Sequence, residues 1–144
     1  MTRPRLAIAG LTACFGCQLT LLNCEAELPE ISARFDFTYF PMGISSPDIS
    51  TDFAAALIEG AVSTPGDLET LVNLRNRSRQ LIAIGTCASF GGVAAMGNDD
   101  PRAQLLRTVY GAGAEGIASF APVPLNHFVT VDFAVTGCPP EKGR

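Results

Sequence analysis

The residues with the clearest chemistry are cysteines. Cys14 and Cys17 form the pair Cys14-Phe-Gly-Cys17, Cys87 lies in Gly85-Thr-Cys-Ala-Ser-Phe-Gly-Gly92, and Cys138 lies in Gly137-Cys-Pro-Pro140. Two intervening residues let both sulfurs of the first pair face one metal centre. A helix starting at that pair would favour their thiolates through its free N–H groups and positive dipole end. The glycines around Cys87 let backbone approach a bulky group. The two prolines after Cys138 fix the chain's direction beyond that thiol. Four thiols gathered in this way would hold an iron–sulfur cluster. Other chemistries stay open. A four-cysteine zinc site uses the same ligand count but usually pairs two CxxC knuckles. A thioredoxin-like dithiol would use Cys14 and Cys17 alone and leave Cys87 and Cys138 without a role. Free cysteines also pack as small hydrophobes. That last reading suits Cys24, on the expected helix after the CxxC.

The pattern places these thiols at the ends of strands. Leu6–Ala9 is a short apolar run ending at Gly10, and Phe35–Phe40 alternates with aromatic residues. Phe53–Ile58 and Gln80–Gly85 are two further strands. Leu19 to Ser32 is predicted as one helix, kinked or ended by Pro29, and Pro41–Ser50 as a loop. Ser63–Asp67 opens a helix that continues through Leu74, with Arg75, Arg77 and Arg79 at its C-terminal end. Thr86–Gly92 reads as a turn with a helix after it to Met96. Gln104–Tyr110 is ambiguous, and Phe128–Val135 alternates as a last strand. Strands alternating with helices give βαβ units and a mostly parallel sheet. Ligands of such sheets bind outside the carboxyl ends of the strands. Cys14 and Cys17 follow the first strand, Cys87 the fourth and Cys138 the last, so one edge collects all four.

Composition narrows the alternatives. The 144 residues are 47 % hydrophobic and 17 % charged, which suits a single domain (1-144) and excludes intrinsic disorder. The low charged fraction suggests a surface partly covered by a partner. Ten basic residues against fourteen acidic ones give a net charge of −4, which argues against nucleic acid. No apolar run approaches the length of a membrane span. With no secretory h-region and no twin-arginine pair, a cytoplasmic location is expected, where cysteines serve as metal ligands or redox groups. Gly111-Ala-Gly-Ala-Glu-Gly116 matches GxGxxG, with Asp132 as the later acid, but it follows no clear strand and precedes no helix of useful length. It reads as a surface loop. His127 is the single histidine and reads as a strand-edge residue rather than a ligand.

Four blocks stand in order across nearly the whole chain: Cys14-Phe-Gly-Cys-Gln-Leu-Thr-Leu-Leu-Asn23, Glu59-Gly-Ala-Val-Ser-Thr-Pro65, Ile84-Gly-Thr-Cys-Ala-Ser-Phe-Gly-Gly-Val93, and Val131-Asp-Phe with Gly137-Cys-Pro-Pro140. Together they resemble the small subunit of cytoplasmic nickel–iron hydrogenases, a family related to a cluster-bearing subunit of respiratory complex I. The resemblance implies an α/β, flavodoxin-like fold, an open, mostly parallel sheet with helices on both faces. It implies one [4Fe-4S] cluster at the carboxyl edge, on Cys14, Cys17, Cys87 and Cys138. Glu59 matches a glutamate near the large-subunit interface and is a candidate proton relay, its bland alternative being an exposed strand-end carboxylate. The nickel–iron site needs two CxxC pairs, and this sequence has one. The implied chain is therefore an electron-transfer subunit between a hydrogenase large subunit and a flavin- or cluster-bearing acceptor subunit. The terminal acceptor would be NAD(P), ferredoxin or a heterodisulfide system. Relatives continue beyond the position of Arg144, and the Asn98 to Val123 stretch looks abbreviated. The alternatives are a cluster-bearing subunit of a complex I-like quinone reductase and a non-enzymatic zinc or scaffold domain built on the same four cysteines.

Overall fold

The computed structural model describes residues 2–143. Five strands, β1 (Arg5–Gly10), β2 (Asp36–Tyr39), β3 (Phe53–Glu59), β4 (Ser78–Ile84) and β5 (Phe133–Val135), form one sheet. Its order is β2-β1-β3-β4-β5, and every neighbouring pair is parallel. Strands β1, β3 and β4 are rich in Ala, Ile and Leu because both faces are covered, the expected composition of a parallel sheet. Helices α1 (Gly16–Leu22) and α2 (Leu28–Arg34) connect β1 to β2, and α3 (Pro65–Arg77) connects β3 to β4. These two crossovers run in opposite directions along the sheet, so right-handed connections put their helices on opposite faces. The fold is the flavodoxin-like α/β architecture expected from the sequence. Its core joins Ala7, Ala9, Phe53, Ala56 and Ile58 of the sheet to Leu71 and Leu74 of α3 and to Leu125.

Helix α3 begins as its sequence requires. The Thr64 hydroxyl accepts from Asp67 N at 3.1 Å, and the Asp67 carboxylate accepts from Thr64 N at 3.1 Å. This reciprocal cap satisfies two of the helix's free donors. Pro65 occupies the first turn, where its missing N–H costs nothing.

Several expectations need correction. The helix predicted from Leu19 to Ser32 is two short helices, with a turn at Cys24 whose N–H bonds Leu21 O at 3.1 Å. Pro29 does not end a helix. It lies in the first turn of α2, again where no N–H is needed. The supposed turn at Thr86–Gly92 is helix α4 (Gly85–Phe90), followed by a 3₁₀ segment at Gly92–Ala95. The ambiguous stretch is helix α5 (Arg102–Tyr110). The final strand is only three residues long, because a 3₁₀ turn at Leu125–His127 precedes it and Val129 and Val131 reach the core from irregular chain. His127 sits on that turn rather than on a strand edge, exposed, with its ring edge-on to Phe128 at 4.9 Å between centroids. The Gly111–Gly116 stretch is a surface 3₁₀ segment whose glycines have open space around them. Among the described residues, no helix is long and apolar enough to cross a membrane.

Candidate metal centre

The strand order reverses direction between β1 and β3, which is where ligands of open α/β sheets sit. The turns leaving these two strands are tied together. Leu11 N donates to Glu59 O, and Thr12 and Ala61 exchange both backbone bonds, all at 3.0 Å. Gly60 makes this approach possible: its φ is +91°, and a Cβ there would lie 2.8 Å from Thr12 O. Val62 in turn exchanges backbone bonds with Val123 at 2.9 and 3.0 Å. The floor beneath the cysteines is therefore stitched from three separate segments.

Cys14 precedes α1 and is exposed, while Cys17 lies in its first turn and is half-buried. Phe15, between them, takes a left-handed conformation with φ of 64°. Cys87 lies within α4, directly after β4, and Cys138 follows β5 by way of Thr136 and Gly137, with a cis peptide on its far side to Pro139. Gly85 joins three of these regions. Its φ is +85°, and a Cβ there would collide with Cys17 Sγ and lie 3.5 Å from Gly137 O. Next to it, Thr86 N donates to Gly137 O at 2.9 Å, and Gly137 N donates back to Thr86 Oγ1 at 3.3 Å. The turn that carries Cys138 is thus clamped to the start of α4, and Cys17 packs against the same spot. None of the five cysteines forms a disulfide. Among the described residues, no three His, Cys, Asp or Glu side chains are already arranged as a metal-binding group. The surroundings nevertheless fit a thiolate-bound group, because glycine backbone lines the space beside Cys17 and the donor set is all sulfur.

Glu59 ends β3 on this edge and is 1 % exposed. It is not the exposed strand-end carboxylate of the bland alternative. Gln18, also 1 % exposed, binds it twice: Gln18 N donates to Oε2 and Gln18 Nε2 donates to Oε1, both at 3.1 Å. Burial, with the Glu59 carboxylate beside it, pushes the Cys17 thiol up to about 12. Cys14 and Cys87 add to the rise. For Cys17 the direction is opposite to the lowering that a helix N-terminus alone would give, because burial and the neighbouring carboxylate act against a seven-residue helix. Gln18 was visible in the sequence only as the residue after the CxxC, and nothing there marked it as the buried partner of a glutamate 41 positions away. Thr86, whose hydroxyl and amide hold the Cys138 turn, gave no signal at all. Cys24 lies in the turn after α1 rather than inside a helix, and its thiol donates to Thr20 O at 3.3 Å, a packing role.

A family model described as NADH ubiquinone oxidoreductase, 20 kDa subunit, matches residues 14–144. Subunit delta of sulfhydrogenase 2 from Pyrococcus furiosus is 38 % identical over 138 residues, covering 96 % of this chain and 57 % of that protein. Subunit delta of the NAD-reducing hydrogenase HoxS from Cupriavidus necator is 28 % identical over 152 residues, covering 95 % of this chain and 72 % of that one. The chain spans about half the length of most curated relatives it matches. A crystal structure of an NAD+-reducing nickel–iron hydrogenase in the H2-reduced state aligns with a TM-score of 0.84 at 29 % identity, over 96 % of this chain and 84 % of that chain. A nickel–iron–selenium hydrogenase from Desulfovibrio vulgaris Hildenborough shares the fold, with a TM-score of 0.68 at 17 % identity, over 97 % of this chain and 56 % of that one.

Proposed function

The chain belongs to the family of the 20 kDa subunit of NADH ubiquinone oxidoreductase, and from that premise we propose that it is the electron-transfer small subunit of a soluble, cytoplasmic nickel–iron hydrogenase. Cys14, Cys17, Cys87 and Cys138 hold one [4Fe-4S] cluster. Its partners are a large subunit carrying the nickel–iron site and a flavin- or cluster-bearing acceptor subunit. The acceptor beyond them is NAD(P), ferredoxin or a heterodisulfide system. The observation that carries this reading is Gly85, whose missing side chain leaves room for Cys17 beside the turn leading to Cys138, two residues before Cys87.

When bound, such a cluster supplies one-electron chemistry. The chain's own residues supply the rest. Gly85 and Gly137 bring backbone close to the sulfurs. Thr86 fixes the Cys138 turn through two hydrogen bonds. Glu59, held by Gln18, keeps a carboxylate in a water-excluded position at the strand edge, where it relays protons at Oε1 and Oε2. Phe15, Leu19, Phe90 and Val93 are exposed apolar side chains on α1 and around α4, the two helices that carry thiols. They form the surface that the large subunit covers. The relatives are hydrogenase subunits, which favours this reading. The family description favours a second one, a cluster-bearing subunit of a quinone reductase. Affinity purification of the tagged chain under anaerobic conditions separates the two. Recovery of a subunit with two CxxC pairs and hydrogen-dependent dye reduction supports the hydrogenase. Recovery of membrane subunits with quinone reductase activity overturns it.

A further inference from the structure

A cavity lies at the opposite edge of the sheet, where the strands begin, and has no part in the thiol site. Its volume is about 650 Å³, within the range of small-molecule sites. Arg3, Arg5, Arg77 and Arg79 line it against only two carboxylates, Asp36 and Asp52. This excess of positive charge stands out in a chain of net charge −4.

The sheet register shows how the site is built. Leu6 of β1 pairs with Ala55 of β3, which pairs with Gln80 of β4. One residue earlier, Arg5, Ala54 and Arg79 form a row across the three strands and so share a face. Strand spacing puts Arg5 and Arg79 about 9.6 Å apart, with only the methyl group of Ala54 between them. Two guanidinium groups on flexible arms therefore flank a gap that a larger residue would fill. Arg3 is paired with Asp36. Arg77 is tethered to Ser50 O at 2.6 Å and Asn73 Oδ1 at 2.9 Å, with Asp52 at 4.0 Å. The Arg5 and Arg79 guanidinium groups form no hydrogen bond or ion pair within the described residues. Ser78, beside Arg79, is 8 % exposed, and its hydroxyl has no partner. The C-terminal end of α3 at Arg77 and the carboxylates of Asp36 and Asp52 oppose an anion here, as does Asp48, which Ser50 and, after it, Arg5 and Arg77 help to hold below its ordinary carboxyl value. The four guanidinium groups outweigh them.

We infer that this cavity binds a small molecule bearing a diphosphate group, held between Arg5 and Arg79 above Ala54. Guanidinium forks match phosphate oxygens in geometry and in charge. The site lies about 20 Å from the cysteine edge along β3 and does not depend on the function proposed above.

The test is calorimetric titration of the full chain, in the complex with which it purifies, using sodium pyrophosphate and ADP as probes and sodium chloride at matched ionic strength as control. Saturable binding with Kd below about 1 mM is expected for at least one probe. The ranking of pyrophosphate and ADP then tells whether the diphosphate is free or nucleoside-borne, and either ranking supports the site. The double variant Arg5→Gln, Arg79→Gln should weaken binding at least about tenfold. Ala54→Leu keeps every charge and should weaken it as much by filling the gap. Circular dichroism checks that both variants fold. Three results would overturn the inference: no saturable binding of either probe, heats reproduced by chloride, or unchanged affinity in a folded Ala54→Leu variant. Binding of an oligoglutamate peptide without binding of either diphosphate would also overturn it, in favour of an acidic protein partner.

Discussion

Glu59 shows what its position at a strand end allows. Both of its oxygens accept from Gln18, so the carboxylate is fixed in one orientation beside Cys17. Glu59→Gln keeps the shape but replaces one acceptor oxygen with an NH2 that faces a donor. An unsatisfied buried donor costs about 1–3 kcal/mol, so thermal unfolding of this variant should shift to lower temperature. If Glu59 relays protons, hydrogen turnover should also fall at least about tenfold in the assembled complex, a barrier change of about 1.4 kcal/mol. Unchanged turnover with assembly intact would reduce Glu59 to a structural tie between β3 and α1. The sequence placed Glu59 on the correct edge through the apolar run before it. It could not show the burial, because that arises from Gln18 folding back across the β1–β3 junction.

At the scale of elements, legibility followed local signals. Strands β1, β3 and β4 were apparent because each is an uninterrupted apolar run between polar ends. Helix α3 was apparent from Thr64, Pro65 and Asp67. That cap is testable: Thr64→Ala should cost about 1 kcal/mol in denaturant unfolding, and no loss would mean that the cap is redundant. Helix α4 was hidden because it is six residues long and bounded by glycines, too short to display a period. The break between α1 and α2 was hidden because Pro29 reads as a terminator although it occupies a first turn. β5 was overextended because alternation in Phe128–Val135 comes from Val129 and Val131 packing out of irregular chain. Its entry is fixed instead by Asp132, whose Oδ2 accepts from Leu81 N at 2.7 Å and Arg75 Nη1 at 2.6 Å. Arg75 and the Leu81 amide hold the Asp132 carboxyl below its ordinary value of 3.8. A depressed carboxyl stabilises the fold above its unfolded pKa and loses that contribution as pH falls through the folded value. Asp132→Asn should therefore be less stable than the parent at pH 7, and the two should converge in acid below about pH 4. A stability gap that persists at pH 2 would show that the charge is not responsible.

For the whole molecule, the two edges of the sheet have separate characters. The carboxyl edge gathers thiols, a buried carboxylate and exposed apolar side chains, and the amino edge gathers arginines. Under the proposed function the chain passes electrons between two neighbours and needs its cofactor edge covered on both sides, and obligate interfaces commonly bury more than about 2,000 Å². The chain should therefore migrate as part of a larger complex in sizing chromatography, and a soluble monomer that keeps its metal would contradict this. The strand-end positions of Cys14, Cys17, Cys87 and Cys138 were legible because each follows a strand-like run, whereas the ties of Gly85 to Cys17 and of Thr86 to the Cys138 turn appear only in the fold. The most direct test of the central claim is iron and acid-labile sulfide analysis of the anaerobically purified complex, comparing the parent chain with Cys138→Ala and Cys24→Ser. Cys138→Ala is expected to lose about four iron and four sulfide per chain, and Cys24→Ser to lose none. Full iron and sulfide in Cys138→Ala, or zinc in place of iron in the parent, would contradict it.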